Sequence, residues 1–137
     1  MSFFDGMNIA ASGMSAQRLR MNIISANISN ADSVKTKEGG PYKRKDVIFE
    51  AKDYSKFPSI LKKAVVDKVV RDDTPPKLKY DPQNPMANKD GYVAYPNINP
   101  VVEMTNLIDA MRTYQANVSV MDSAKQMAQG VIGILRT

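Results

Sequence analysis

The sequence predicts a mainly α-helical protein with a small β region between two long terminal helices. Near both ends of the 137-residue chain, apolar residues recur at spacings of three, four and seven, the pattern of one helix face. The middle of the chain carries β-branched runs and turn residues instead. Because both ends have a long apolar seam, we expect them to pack as a coiled-coil-like pair, with the middle as a β-containing insertion.

The first helix is predicted over residues 4–28. Gly6 and Gly13 weaken it, each by about 1 kcal/mol relative to alanine, so we expect contacts with other helices to hold it. Residues 25–33 form an asparagine-rich edge whose side chains end the helix by competing for backbone hydrogen bonds. Small residues and side-chain amides at this edge also suit the close approach of another backbone. The apolar seam of this helix contains Met7, Met14, Met21, Ile24 and Ile28.

The middle of the chain, residues 34–99, is predicted to contain short strands and loops. Residues 42–50 and 65–70 are rich in β-branched or aromatic residues, and residues 77–80 form a third, shorter strand. Residues 51–62 are expected to be irregular. The chain therefore divides into an N-terminal helical part, a β/loop part and a C-terminal helical part, with the boundaries 1–33, 34–99 and 100–137.

The second helix is predicted from residue 100 to about residue 135. Asn99 is a good N-cap, and Pro100 lies in the first turn, where its missing N–H costs nothing. Glu103 lies where the helix dipole favours an acid. Two apolar rows follow the helix, one with Met104, Met111, Val118 and Ile132, and one with Leu107, Tyr114, Met121, Ala128 and Leu135.

The two seams allow two interpretations. They can pack against each other inside one monomer, or they can be surfaces shared among subunits. Methionine is flexible and tolerates irregular partners, so the many methionines on the seams suit a surface that meets several others. The pattern alone favours neither interpretation.

The composition argues against an enzyme. The chain has no cysteine and no histidine, which excludes disulfides, thiolate chemistry and the commonest general base and metal ligand. It has no glycine-rich phosphate-binding motif, and Asp72 and Asp73 lack the ligand spacing of a calcium loop. Only a carboxylate or lysine mechanism remains open. We therefore expect no catalytic site, no cofactor and no metal.

The positive charge is concentrated in the middle of the chain. Residues 35–79 hold 13 lysines and arginines against 7 acids, whereas both helical ends are neutral. This excess predicts, as an alternative function, a basic module that contacts an acidic or nucleic-acid partner. Acids interleave with the densest basic run, residues 43–45, which is not typical of nucleic-acid binding.

The sequence shows neither a Sec-type signal peptide nor a membrane span. The first residues lack a basic region followed by an apolar run. The apolar stretches are far shorter than the roughly 20 residues that cross a membrane. By these rules alone the default location is cytoplasmic.

Two segments, one near each end, resemble signatures of the flagellar rod and hook protein family. Residues 25–33 resemble the S-x-N-[IL]-A-N-x-x-[ST] pattern that follows the family's first helix, with Ser29 in place of the usual alanine. Residues 114–117 read Tyr-Gln-Ala-Asn, which is similar to a motif in the family's C-terminal helix. Three middle segments resemble the short proximal-rod members of the family: residues 38–44, 80–87 and 91–97.

The resemblance implies a structural subunit of the bacterial flagellar basal-body rod. Such a subunit polymerises through its terminal helices into the drive shaft that transmits torque from motor to hook. The implied partners are copies of itself, other rod proteins and the flagellar type III export apparatus, but no nucleic acid. Export without a cleaved signal would place the chain in the rod crossing the periplasm, which overrides the cytoplasmic default.

The resemblance also implies roles for individual residues. Both helical seams become subunit interfaces, with polar members at Asn27, Asn30, Gln115 and Asn117. Phe3 and Met7 are similar to the short Phe-x-x-x-apolar export motif of rod and hook substrates. Because the helices depend on shared packing, we also expect residues 1–33 and 100–137 to be partly disordered in the free monomer.

Overall fold

The computed structural model of the chain describes residues 3–53 and 62–134. It confirms the predicted fold class, since two long terminal helices pack against each other and a small β insertion separates them in sequence. The elements in chain order are α1 (Phe3–Ser29), β1 (Lys45–Asp53), β2 (Lys62–Arg71), β3 (Lys77–Tyr80), β4 (Tyr92–Tyr95) and α2 (Pro100–Ile134).

The two helices run antiparallel. Asn27 near the end of α1 contacts Glu103 in the first turn of α2, and Gly13 in the middle of α1 contacts Asn117 further along α2. Small side chains lie buried between the helices, which lets the two backbones approach closely. The buried alanines of the two helices are Ala10, Ala16, Ala110 and Ala124.

The end of α2 extends beyond α1. Since Asn27 lies opposite Glu103 and Gly13 opposite Asn117, the part of α2 beyond residue 127 has no described residue of α1 opposite it. Val131, Ile132 and Ile134 are accordingly exposed.

The start of α2 is capped as the sequence predicts. The Oδ1 atom of Asn99 accepts a hydrogen bond of 3.1 Å from the N–H of Val101, which satisfies one of the free donors of the first turn. Pro100 is the first helical residue. The predicted start at residue 100 is thus confirmed.

A first antiparallel hairpin, β1–β2, packs on α1. The pairing runs from Lys45 opposite Arg71 to Asp53 opposite Lys62. The guanidinium of Arg20 on α1 lies 6.0 Å from the ring centroid of Phe49 on β1.

The prediction that residues 51–62 are irregular is wrong at both ends, because residues 51–53 continue β1 and Lys62 begins β2. These strand ends are exposed on both faces, so they lack the apolar alternation that identifies a strand. Residues 54–61 lie outside the described residues.

A second hairpin, β3–β4, was only half predicted. The strand at residues 77–80 is confirmed, whereas its partner β4, of the same length, was not predicted. Gly91, just before β4, has φ +81°. A Cβ atom at this position would lie 2.9 Å from the ring of Tyr80, so both the backbone and the available space require glycine there.

Candidate subunit interface and the polar cluster behind it

The amide of Asn27 joins α1 to both β1 and α2. Its Nδ2 atom donates to the carbonyl of Lys45 at 2.7 Å and to Oε2 of Glu103 at 3.0 Å. Its Oδ1 atom accepts from the N–H of Lys45 at 2.9 Å and from the hydroxyl of Tyr42 at 3.2 Å. Both donors and both acceptor positions of the amide are therefore used. The close approach of another backbone, expected at the asparagine-rich edge, occurs within the chain at Lys45.

Glu103 is a buried carboxylate that is bonded from two sides. Its side chain is almost inaccessible, and Oε1 accepts from Nε of Arg44 at 2.9 Å. Arg44 also donates from Nη1 to Oδ2 of Asp46 at 3.0 Å. Partial burial of Arg44 opposes its charge, but its bonds and charge attraction to Glu103 and Asp46 outweigh this and raise the pKa of Arg44. We call Asn27, Tyr42, Arg44, Lys45 and Glu103 the Asn27 cluster.

The phenol of Tyr42 is held in its neutral form. Burial raises the pKa of Tyr42, and the negative charge of Glu103 raises it further. The neutral hydroxyl is the form that can donate its hydrogen bond to Asn27. The cluster thus joins α1, the start of β1 and the first turn of α2 through bonds that depend on defined protonation states.

Asn117 occupies the place that Gly13 leaves open in the helix seam. A Cβ atom built on Gly13 would lie 3.0 Å from Nδ2 of Asn117. The amide of Asn117 donates to the carbonyl of Thr113 in its own helix at 3.0 Å. Asn117, predicted as an interface residue, therefore packs against α1 of the same chain.

Most predicted seam residues lie at the edges of the α1–α2 contact. Ile24 and Asn27 are buried within the chain, and Asn30 donates to the carbonyl of Ala26 in its own helix. The other seam residues keep part of their surface accessible, and their role in a subunit interface stays a prediction. These half-buried residues are Met7, Met14, Met21, Ile28, Leu107, Tyr114, Val118 and Met121.

An apolar stripe runs along α2 beside the face that packs on α1. At about 100° per residue, Met104 and Met111 lie roughly a quarter turn around the helix from the buried Glu103 and Ala110, on the flank of the seam. Met104 is 52% exposed and Met111 is 45% exposed, and two further exposed apolar residues share this face. We call Val101, Met104, Ile108 and Met111 the α2 stripe. Gln115, also exposed, continues the stripe one turn later.

Sequence reasoning missed part of this arrangement. Tyr42 and Arg44 gave no local signal, because their partners lie far away in sequence. Glu103 was interpreted through the helix dipole alone, which explains an exposed acid as well as a buried one. The side chain of Phe3 and the whole of Leu135 lie outside the described residues.

Two features are absent from the described residues, a cluster of metal-binding acids and a helix suited to crossing a membrane. Within residues 3–53 and 62–134, no three acidic side chains are grouped so that they could hold a metal ion. In the same ranges, neither helix combines the length and apolar character that a membrane crossing requires.

Comparison with known families matches both ends of the chain. The family described as "Flagella basal body rod protein" matches residues 7–35, which cover most of α1 and its polar edge. The family described as "Flagellar basal body rod FlgEFG protein C-terminal" matches residues 89–134, which cover β4 and α2. The two matches therefore include both helices that form the seam.

Individual relatives match over nearly the whole length. The flagellar basal-body rod protein FlgC of Borreliella burgdorferi is 38% identical, and the match covers 99% of each chain. The protein of the same name from Bacillus subtilis is 38% identical over 98% of this chain and 99% of the relative. That of Buchnera aphidicola subsp. Schizaphis graminum is 43% identical over 98% of both. This chain belongs to the FlgC family of flagellar basal-body rod proteins.

Proposed function

We propose that this chain is a structural subunit of the flagellar basal-body rod that binds neighbouring subunits through the α2 stripe. The observation that carries the proposal is the exposure of Met104 and Met111 on the flank of α2 beside the α1–α2 seam. A contiguous exposed apolar surface marks an interaction site. The neighbours would be copies of this chain or other rod proteins.

Burial of the α2 stripe is large enough to matter for assembly. Full burial of one side chain of this size contributes about 1.5–3 kcal/mol. The four stripe residues are 45–70% exposed, so covering them contributes several kcal/mol toward the cost of ordering two subunits. Residues 1–34 and 101–137 each carry balanced charges, so no net repulsion opposes the packing of like helices.

The Asn27 cluster supports this function from within the monomer. It joins the first turn of α2 to α1 and to the start of β1 by short hydrogen bonds. A stripe on a firmly placed helix presents its side chains at fixed positions, which reduces the entropy lost on binding. A rod that transmits torque from motor to hook needs such fixed contacts between subunits.

Charge substitution tests the interface. Met111→Glu places a carboxylate in the α2 stripe, whereas Thr113→Glu places the same group on an exposed position of α2 outside it. We expect both variants to fold, Met111→Glu to abolish rod assembly and motility, and Thr113→Glu to keep both. Normal motility with Met111→Glu would contradict the interface. Met21→Glu, in the half-buried seam, should reduce monomer stability as well as assembly.

We also propose that the flagellar type III apparatus exports the chain to the basal body and recognises Phe3 and Met7. Secretion of Phe3→Ser and Met7→Ser variants should fall well below that of the original chain. Phe4→Ser is the matched control, because it removes the neighbouring residue of the same type. Equal secretion of the Phe3 and Phe4 variants would exclude a special role for Phe3.

A further inference from the structure

A basic pocket lies beside the loop that joins α1 to β1. Its volume is about 400 Å³, within the usual range of ligand pockets. Among its charged lining residues, four are cations and one is an acid. The described residues that line it come from the loop and from the paired ends of β1 and β2, with none from α2. The charged and aromatic ones are Lys37, Glu38, Tyr42, Lys43, Lys45 and Arg71.

Three of the four cations of this pocket contact another side chain of the same chain. Arg71 donates from both terminal nitrogens to the carboxylate of Glu38, at 2.8 and 3.1 Å. Nζ of Lys45 lies 5.7 Å from the ring centroid of Tyr42, and Nζ of Lys43 lies 2.7 Å from Oδ1 of Asp73. These contacts orient Arg71, Lys43 and Lys45 beside the pocket, and because the two ion pairs are exposed they hold their cations only weakly.

The walls of the pocket are fixed. The hydroxyl of Tyr42 is anchored to Asn27 at 3.2 Å. The loop closes through a hydrogen bond of 2.9 Å from the N–H of Thr36 to the carbonyl of Gly40, and Gly39 and Gly40 have φ of +87° and +72°. These glycines belong to the segment at residues 38–44. Packing of subunits through α2 assigns no role to this segment.

We propose that this pocket binds an acidic segment of a partner protein, with carboxylates at the cations and aliphatic groups against Pro41 and Tyr42. The lining has a net charge of +3. The Glu38–Arg71 pair is exposed, and exposed pairs contribute little, so an incoming carboxylate can share Arg71. A nucleic-acid duplex is a poorer fit, because it requires a track of cations along a backbone rather than a recess.

Fluorescence anisotropy with the full-length chain and a labelled octaglutamate peptide tests the pocket. We expect binding at 50 mM NaCl that weakens about tenfold by 300 mM, because salt screens exposed charges. The double variant Lys37→Glu/Arg71→Glu should weaken binding at least about tenfold, since each reversal replaces an attraction by a repulsion. The matched control Lys89→Glu/Lys125→Glu makes the same change of net charge outside the pocket and should keep binding within about threefold of the original.

Three results would overturn the proposal. One is the absence of peptide binding at 50 mM salt. The second is an equal loss in the control variant, which would show attraction to overall charge alone. The third is tighter binding of a 20-base-pair DNA duplex than of the peptide, or displacement of the peptide by millimolar inorganic phosphate. Either result would assign the pocket to phosphate groups. If the double variant fails to fold, the single variant Lys37→Glu, on the exposed loop, should still bind the peptide more weakly than the original chain. Rod assembly through the α2 stripe does not depend on the outcome.

Discussion

The amide of Asn27 donates a hydrogen bond of 3.0 Å to the carboxylate of Glu103, 76 residues away in sequence. Neither residue reaches solvent, since Asn27 is 0% exposed and Glu103 is 1% exposed. A buried carboxylate is tolerated only when its partners satisfy it. The helix pair therefore depends on this contact, and substitutions on either side of it should be costly.

Asn27→Asp should destabilise the monomer by about 3 kcal/mol or more. It replaces a donor by a carboxylate oxygen that faces both Glu103 and the carbonyl of Lys45. Urea unfolding monitored by circular dichroism measures the loss. Asn22→Asp, on the exposed face of the same helix, adds the same charge and should cost less than about 0.5 kcal/mol. Similar losses in the two variants would show that burial at residue 27 is not the cause.

Glu103→Gln should partly rescue Asn27→Asp. In the double variant a glutamine amide can donate to the new carboxylate, so the interaction reverses direction instead of becoming a repulsion. We expect the double variant to be more stable than Asn27→Asp alone, with a coupling energy of about 1–3 kcal/mol. Additive losses in the same urea experiment would mean that the two side chains act independently.

The contribution of Tyr42 should disappear at high pH. Its pKa is raised above 10.0 in the folded chain, by burial and then by the charge of Glu103. A raised folded pKa gives stability that is fully present below the unfolded pKa, near 10, and is lost as pH rises through the folded pKa. Tyr42→Phe should cost about 0.5–1.5 kcal/mol at pH 7, and its difference from the original chain should shrink above pH 10.

Chemical unfolding at several pH values between 7 and 11 measures this difference. Tyr80→Phe is the control, because Tyr80 is largely exposed on β3. The Tyr80 variant should stay close to the original chain across the whole range. A Tyr42→Phe cost that stays constant to pH 11 would rule out the linkage.

Gly13→Ala should fail to stabilise α1 unless Asn117 is also shortened. Alanine gains about 1 kcal/mol of helix propensity over glycine. At this position the new Cβ atom would lie 3.0 Å from Nδ2 of Asn117, closer than ordinary packing allows. In the Asn117→Ala background the gain of about 1 kcal/mol should appear. Thermal unfolding of the original chain, the two single variants and the double variant measures these differences in stability. An equal gain from Gly13→Ala in both backgrounds would contradict the close contact.

Hydrogen exchange in the dilute monomer should proceed in a defined order along α2. Residues 128–134 have no described residue of α1 opposite them, so they should exchange first. The turn around Glu103, tied into the Asn27 cluster, should exchange last. Mass spectrometry of the deuterated chain gives this order. Uniform, full protection of both helices would contradict the predicted partial disorder of the free ends.

The sequence predicted the helices well because their signals are local. The cap at Asn99 and the periodicity of the apolar rows depend on neighbours within a few residues. The stripe at Met104 and Met111 was identified as apolar, but periodicity alone could not tell whether it faced α1 or solvent. Spacing places residues on one face of a helix and does not say what that face meets.

The polar centre of the molecule was not predictable in the same way. The bonds of Glu103 to Arg44 and Asn27 join segments 59 and 76 residues apart, and no local pattern encodes such a pairing. The ends of β1 and β2 were missed for a related reason, because cross-strand pairing defines them and their side chains are mostly exposed.

The natural absence of cysteine makes the interface directly measurable. Met111→Cys introduces a single thiol at a position that is 45% exposed in the monomer. A motile bacterial strain that carries this variant supplies assembled rods. A maleimide should label this thiol fully in the free chain and in rods denatured with urea, but only weakly in intact rods, where a neighbouring subunit covers the α2 stripe. Full labelling of intact rods would show that the stripe remains open to solvent and that subunits meet elsewhere.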